Sequence, residues 1–192
     1  MLNLGILGSG SGSNMQAILD AITAKTLEAR ITIVLSDQPN AFILERARQN
    51  GIEAQLIDCE GFQTRFPETA QKKTAQILTQ AKVDLVCLAG FMRLVKAPLL
   101  EAFPKRILNI HPSLLPAYPG MAAWEQAVND NASESGCTVH LVDQGMDTGP
   151  VLGQERVPVH PDDSSTTLHQ RIQEKEHQLY PKIISDYAQT LS

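Results

Sequence analysis

Along the first 110 residues, short apolar runs alternate with stretches of helical spacing, and this restricts the fold more than any other feature of the chain. Leu2–Leu7, Ile31–Leu35, Ala54–Ile57, Val83–Leu88 and Ile107–Ile110 read as strands. Val83-Asp-Leu-Val-Cys-Leu88 is almost continuously apolar, as a strand covered on both faces must be. Between the strands, Met15, Ile18, Leu19 and Ile22 recur on one helical face after Asn14. Ala41–Asn50 is predicted as a helix ended by Gly51, a favoured C-terminal residue. Thr64–Ala81 reads as a polar helix with Pro67 near its start, and Pro98–Phe103 as a brief one. Strands alternating with helices imply a parallel sheet with right-handed crossovers.

After Gly120 the rhythm changes. Ala122–Asn129 is helical in pattern, and Cys137–Val142 and Val151–Val159 are expected to pair as antiparallel strands. Ser164–Ala188 closes the chain as a helix expected to break near Pro181, where a backbone donor is lost. The expectation is an α/β fold: a single-domain, Rossmann-like, mostly parallel sheet flanked by helices, with antiparallel strands added in the C-terminal half. One domain over residues 1–192 is long enough to bury a sizeable core.

Composition narrows the partners. A net charge of -5, with Lys72-Lys73 the longest basic cluster, gives no footprint for nucleic acid. Cys59, Cys87 and Cys137 are scattered with no Cys-x-x-Cys, which points to a reduced, cytoplasmic protein without a zinc ribbon or redox pair. The N-terminus has no basic region and its apolar run stops at Gly8, unlike a signal peptide. No apolar run approaches the ~20 residues of a membrane span. A monomer or homodimer acting on small molecules is expected.

Two stretches carry chemistry. Gly8-Ser-Gly-Ser-Gly-Ser-Asn14 joins the first strand to the first helix, where turned-in N–H groups and a helix dipole can hold an anion. No Gly-Lys-Ser/Thr follows, and Ser13 stands where a third dinucleotide-loop glycine belongs. Phosphate or phosphoribosyl binding, a dinucleotide with Asp37 on its ribose, and a plain tight turn all fit this loop. The second stretch is Ile107-Leu-Asn-Ile-His-Pro-Ser-Leu-Leu-Pro-Ala-Tyr-Pro-Gly120. Asn109 and His111 lie two apart on a strand and so share a face, an amide beside an imidazole ahead of a proline-stiffened loop. Asp147, in the Gly/Pro-constrained segment Asp143–Pro150, would raise the His111 pKa if it came near. His140 reads as a structural histidine, and His160, His169 and His177 are too dispersed for a metal site. Trp124 reads as a core or cleft-wall residue.

Asn109-Ile-His-Pro-Ser-Leu-Leu-Pro116 with Asp147-Thr-Gly-Pro150 resembles the folate-dependent formyltransferase family. Gly10-Ser-Gly-Ser-Asn14, Ala89-Gly-Phe-Met-Arg93 and Glu176-His-Gln-Leu-Tyr-Pro181 resemble its glycinamide ribonucleotide branch, so the likeness covers nearly the whole chain. It implies transfer of a formyl group from 10-formyltetrahydrofolate, a cosubstrate, to the amine of 5′-phosphoribosylglycinamide, with no metal. It implies Asn109, His111 and Asp147 as the catalytic residues, with protonated His111 and Asn109 stabilising the oxyanion. Gly12, Ser13 and Asn14 would hold the ribose phosphate, and Gln173 and Glu176 the ribose and glycinamide. Arg65, Met92, Arg93, Leu94, Val95 and Val142 would line the folate cleft, with Asn109 and Asp147 at its inner end.

Ala122 stands where the family commonly has histidine, which implies a reduced rate or an altered substrate. The chain stops at Ser192, where relatives often continue with a further strand or hairpin, which implies an exposed sheet edge or room for a partner. Four alternatives follow from these readings: a sister enzyme formylating another amine, a formyltetrahydrofolate hydrolase, a non-catalytic nucleotide- or folate-binding protein, and a dinucleotide-dependent oxidoreductase.

Overall fold

Seven strands form one sheet in the order β3-β2-β1-β4-β5-β6-β7 in the computed structural model, which describes residues 1–191. The parallel part comprises β1 (Leu2–Leu7), β2 (Ala29–Ser36), β3 (Glu53–Leu56), β4 (Leu85–Leu88) and β5 (Ile107–His111). β6 (Glu134–Leu141) and β7 (Val151–Pro158) then add antiparallel, as expected, although β6 starts three residues before its predicted start. Helices α1 (Ser13–Thr23), α2 (Phe42–Gln49), α3 (Glu68–Gln80), α4 (Ala97–Ala102), α5 (Ala123–Asn129) and α6 (Ser165–Ala188) cover the faces.

Both faces of the parallel strands are buried, which is why they read as apolar runs rather than as alternations. Leu85, Cys87, Leu108 and Ile110 enter one core with Met15 and Ile18 of α1 and Ile172 of α6. Val86, Leu88 and Ile107 point the other way, onto Leu78 of α3 and Leu99 of α4. The predicted start of α3 is corrected from Thr64 to Glu68, because Pro67 takes the N-cap position in extended geometry.

The expected break at Pro181 does not occur: α6 runs through it, with Pro181 buried. Packing holds the axis on either side of the missing N–H. Leu179, Ile183 and Ile184 are buried, and the Tyr180 hydroxyl lies 3.0 Å from Leu88 O and 3.1 Å from Leu108 O, spanning β4 and β5. Among the described residues, no helix is long and apolar enough to cross a membrane.

Candidate active site

The C-terminal ends of β1, β4 and β5 lie side by side and project their loops to one edge of the sheet. The crossovers diverge between β1 and β4, the place where open α/β sheets leave a crevice.

The β1 loop ends in Gly12, which has φ +76° and lies against α2; a Cβ there would fall 2.8 Å from Ile43 Cγ1 and 2.9 Å from its Cα. Only glycine allows that turn and that approach. The loop is fastened to α2 by Ile43 N–H on Gly10 O (3.0 Å) and by Arg46 Nε on Ser11 O (2.8 Å). Ser13 and Asn14 then open α1, at the end where its dipole is positive. Asn14 is buried and donates through Nδ2 to Glu176 Oε2 (2.9 Å), while its Oδ1 is buried without a hydrogen-bond partner. Burial pushes the Glu176 carboxyl above its ordinary range, outweighing the Asn14 hydrogen bond. Gln173, half-buried, is three residues earlier on the same side of α6. The five residues assigned to the phosphoribosyl amine are thus divided between two contacting helix segments. The arrangement leaves the first-turn N–H groups of α1 close to an acceptor, Asn14 Oδ1, that still lacks a donor.

Asp147 is the hub of the second half. It sits at φ +56° in the loop between β6 and β7. Its Oδ2 accepts from Gly120 N–H (2.8 Å) and faces His111 Nδ1 at 3.4 Å. Its Oδ1 faces Asn109 Nδ2 at 3.4 Å and His140 Nε2 at 3.5 Å. His111 Nε2 lies 2.8 Å from Tyr118 O, so this nitrogen carries the proton and Nδ1 is the one that can change state. His140 Nδ1 donates to Leu141 O (2.8 Å), leaving Nε2 to accept from Asn109 Nδ2 (3.1 Å).

Burial pushes the His111 imidazole below its ordinary range, outweighing Asp147 and the Tyr118 carbonyl, which pull it up. The expected raised value is therefore corrected: the carboxylate acts in the anticipated direction, but desolvation of a nearly inaccessible ring is larger. Burial also pushes Asp147 up, but the Gly120 N–H, joined by His140 and His111 in their protonated forms, draws its carboxyl below the usual range.

His140, a structural histidine by its place in the sequence, belongs to this cluster. β5 and β6 pair antiparallel with Asn109 opposite His140 and His111 opposite Thr138, so residues on one face of each strand meet. Their alternation was visible in the sequence; their register was not. Ser113 and Thr138 were not anticipated either. Thr138 Oγ1 donates to Ser113 O (2.6 Å) and accepts from Leu115 N–H (3.0 Å), while Ser113 Oγ donates to Ala117 O (2.5 Å). These bonds shape the loop after His111, in which Leu115–Pro116 is cis.

The residues assigned to the folate cleft separate into two groups. Arg65 and Leu94 line an open cleft of about 970 Å³ beside α3 and α4, and Met92 is exposed. None of Asn109, His111 and Asp147 lines that cleft. Arg93, by contrast, is buried: Nε pairs with Asp37 Oδ2 at 2.6 Å, and Nη1 donates to Phe62 O (2.8 Å) and Arg65 O (2.5 Å). Val95 is core and Val142 packs on the same core, so these side chains face inward. Asp37 is also removed as a ribose ligand, since Arg93, Ser9 Oγ (2.5 Å) and Gln38 Nε2 (2.9 Å) occupy its carboxylate. Ala122 is half-buried and caps α5 in the left-handed conformation.

Residues 2–184 match the family model described as Formyl transferase. The chain is 40% identical to the phosphoribosylglycinamide formyltransferase of Escherichia coli over 97% of this chain and 87% of that protein. It is 43% identical to the trifunctional purine biosynthetic protein adenosine-3 of Drosophila melanogaster over 94% of its own length, but spans only 13% of that larger protein. The crystal structure of glycinamide ribonucleotide transformylase 1 from Symbiobacterium toebii superposes with a TM-score of 0.94 at 46% identity, covering 99% of this chain and 89% of that one. The chain belongs to the formyl transferase family.

Proposed function

We propose that this chain acts as a phosphoribosylglycinamide formyltransferase, moving the formyl group of 10-formyltetrahydrofolate to the amine of 5′-phosphoribosylglycinamide in de novo purine biosynthesis. The observation that carries the reading is Asp147, which joins His111 to the Asn109–His140 pair at the end of β5. Gly12, Ser13 and Asn14 hold the phosphate, and Gln173 with Glu176 the ribose and glycinamide. Arg65, Met92 and Leu94 contact the folate through side chains, while Arg93, Val95 and Val142 offer backbone groups. Met121 and Met146, exposed on the loops flanking His111 and Asp147, give its ring an apolar rim. The chain works in the cytoplasm as a single formyltransferase domain, as a monomer or homodimer.

The amine attacks the formyl carbon, and the carbonyl oxygen becomes an oxyanion. One Asn109 N–H is held by His140; the other, only 3.4 Å from Asp147, turns to that oxygen. Losing such a donor typically costs ~10²–10³ in rate. Since burial keeps His111 neutral, it takes the proton of the attacking nitrogen at Nδ1, and Asp147 stabilises the imidazolium. That proton then passes to the departing folate nitrogen as its bond to the formyl carbon breaks. No step needs a metal.

The test is folate release with and without the amine in the wild type and His111→Ala. Amine-dependent release is expected, falling by at least ~10²-fold in the variant. Turnover within a few-fold of wild type would refute the mechanism, and release without amine would indicate hydrolysis.

A further inference from the structure

The pair His111–Asp147 is oriented by backbone as well as by side chains. Tyr118 O accepts from His111 Nε2 and Gly120 N–H donates to Asp147 Oδ2, both at 2.8 Å, with only Pro119 between them. This short loop therefore grips both partners at once. It passes through three left-handed residues, Tyr118 (φ 54°), Gly120 (φ 82°) and Ala122 (φ 54°). Two of these are not glycine, and such a path persists only when its surroundings hold it.

One end is fastened by Ser113, whose hydroxyl donates to Ala117 O and lies 3.3 Å from Tyr118 O. The other end runs into α5, which returns one bond to the loop through Gln126 Nε2 on Met121 O (2.9 Å). A helix of seven residues does not stand alone, so its position is set by what it packs on. Ala123 and Ala127 are its buried side chains, and both are small. Its larger apolar side chains are Val128, which packs against the core, and Trp124, which stacks on His169 of α6 with ring centroids 3.7 Å apart and planes 5° from parallel. The receiving segment of α6 is firmly built. Ser164 and Thr167 form a capping box, and Arg171 makes two 2.8 Å bonds to Asp163.

We propose that the Trp124–His169 stack positions the catalytic pair, holding α5 on α6 and thereby fixing the Tyr118 carbonyl and Gly120 N–H that orient His111 and Asp147. Neither ring is among the hydrogen-bond or ion-pair partners of His111 and Asp147. The stack joins two elements that also meet different parts of the reaction: α6 carries Glu176, and α5 follows directly from the loop gripping His111. Burial lowers the His169 pKa, which keeps the stack between two neutral rings at neutral pH.

This inference rests on the reading of His111 and Asp147 as the proton-transfer pair, and the experiment separates the two. Trp124→Ala, Trp124→Phe, His169→Ala and His111→Ala are compared with wild type for kcat, KM for the phosphoribosyl amine, the pH profile of kcat, and melting temperature. Trp124 is the only tryptophan, so its emission shows directly whether His169→Ala has undone the stack. Trp124→Ala and His169→Ala should lower kcat about tenfold, part of the ~10²-fold that a 1 Å misplacement costs, with KM little changed. The groups facing His111 are Asp147 from the β6–β7 loop, His140 from β6 and the Tyr118 carbonyl. Asp147 and Tyr118 both raise its pKa, so a loosened loop should shift the acid limb of kcat to lower pH. Trp124→Phe should restore most of both effects.

A lower melting temperature with unchanged kcat and acid limb in Trp124→Ala and His169→Ala would overturn the proposal and leave the stack as packing. If Trp124→Ala does not fold, His169→Ala decides alone, its altered emission confirming that the stack is gone. Full activity in His111→Ala would instead overturn the reading of the pair.

Discussion

At the scale of residues, the site depends on how one carboxylate is shared. Asp147 has two oxygens and four neighbours, and its two closest contacts to charged or chargeable groups are long, at 3.4 and 3.5 Å. A neutral imidazole with its proton on Nε2 presents a lone pair at Nδ1 to that carboxylate, an arrangement that becomes attractive only once Nδ1 is protonated. In the proposed proton transfer the carboxylate therefore favours the protonated state of His111 over its resting one, which is what transition-state complementarity requires. Asp147→Asn keeps the shape and can still accept from Gly120, but removes the charge. Its kcat should fall about 10²-fold or more. The acid limb of the pH profile should also move down, because the residue that pulls the His111 pKa upward is gone while burial stays. Rates measured from pH 5 to 9 check this, and an unmoved acid limb would show that Asp147 does not sense the His111 proton.

At the scale of elements, the β4 loop shows how a side chain can be redirected by what it supports. Arg93 and Asp37 form a pair whose side chains are 3% and 1% exposed, and Arg93 also bonds two carbonyls of the 62–65 segment. Removing one partner of such a pair leaves an uncompensated buried charge, typically at 3–5 kcal/mol. Arg93→Ala should lose about that much stability in urea unfolding, and Asp37→Asn combined with Arg93→Met should lose less. Equal losses in the single and double variants would mean the pair is not coupled. The elements themselves were legible because local signals agree with the fold: apolar runs for doubly covered strands, Met15/Ile18 spacing for α1, Gly51 after α2. What stayed hidden depended on contacts far apart in sequence. The partner of Arg93 is 56 residues away, and that of Asn14 is 162 away. Pro181 misled for the same reason, since a local rule of helix breaking was overruled by Tyr180 and its neighbours buried against β4 and β5. His140 required the β5–β6 register, which no single strand encodes.

At the scale of the whole molecule, the site straddles the change from parallel to antiparallel pairing at β5. The parallel half supplies α1, the helix proposed to hold the phosphate, and the antiparallel half supplies His140 and Asp147. Holding them together buries titratable groups on both sides, and stability must then depend on pH. Burial lowers the pKa of His111, His169 and His177 in the folded protein. Below the ordinary histidine value of about 6.5, the unfolded chain takes up protons that the folded chain refuses, so stability rises with pH in that window and falls as pH drops. Glu176 acts in the opposite sense. Its folded pKa is raised, so the folded chain holds a proton the unfolded chain has lost, and its stabilisation fades as pH climbs above the ordinary carboxylate value through the folded one. The histidine loss on acidification is therefore partly offset by Glu176. Overall charge repulsion does not explain a loss, because protonating a chain of net charge -5 moves it toward neutrality. The melting temperature should fall between pH 7.5 and 5.5. In Glu176→Gln it should start higher, since no buried carboxylate is left to desolvate, and fall more steeply because the offset is gone. A parallel shift of the whole curve would show that Glu176 is ionised throughout this range, and would leave Asn14 facing a carboxylate rather than a carboxylic acid.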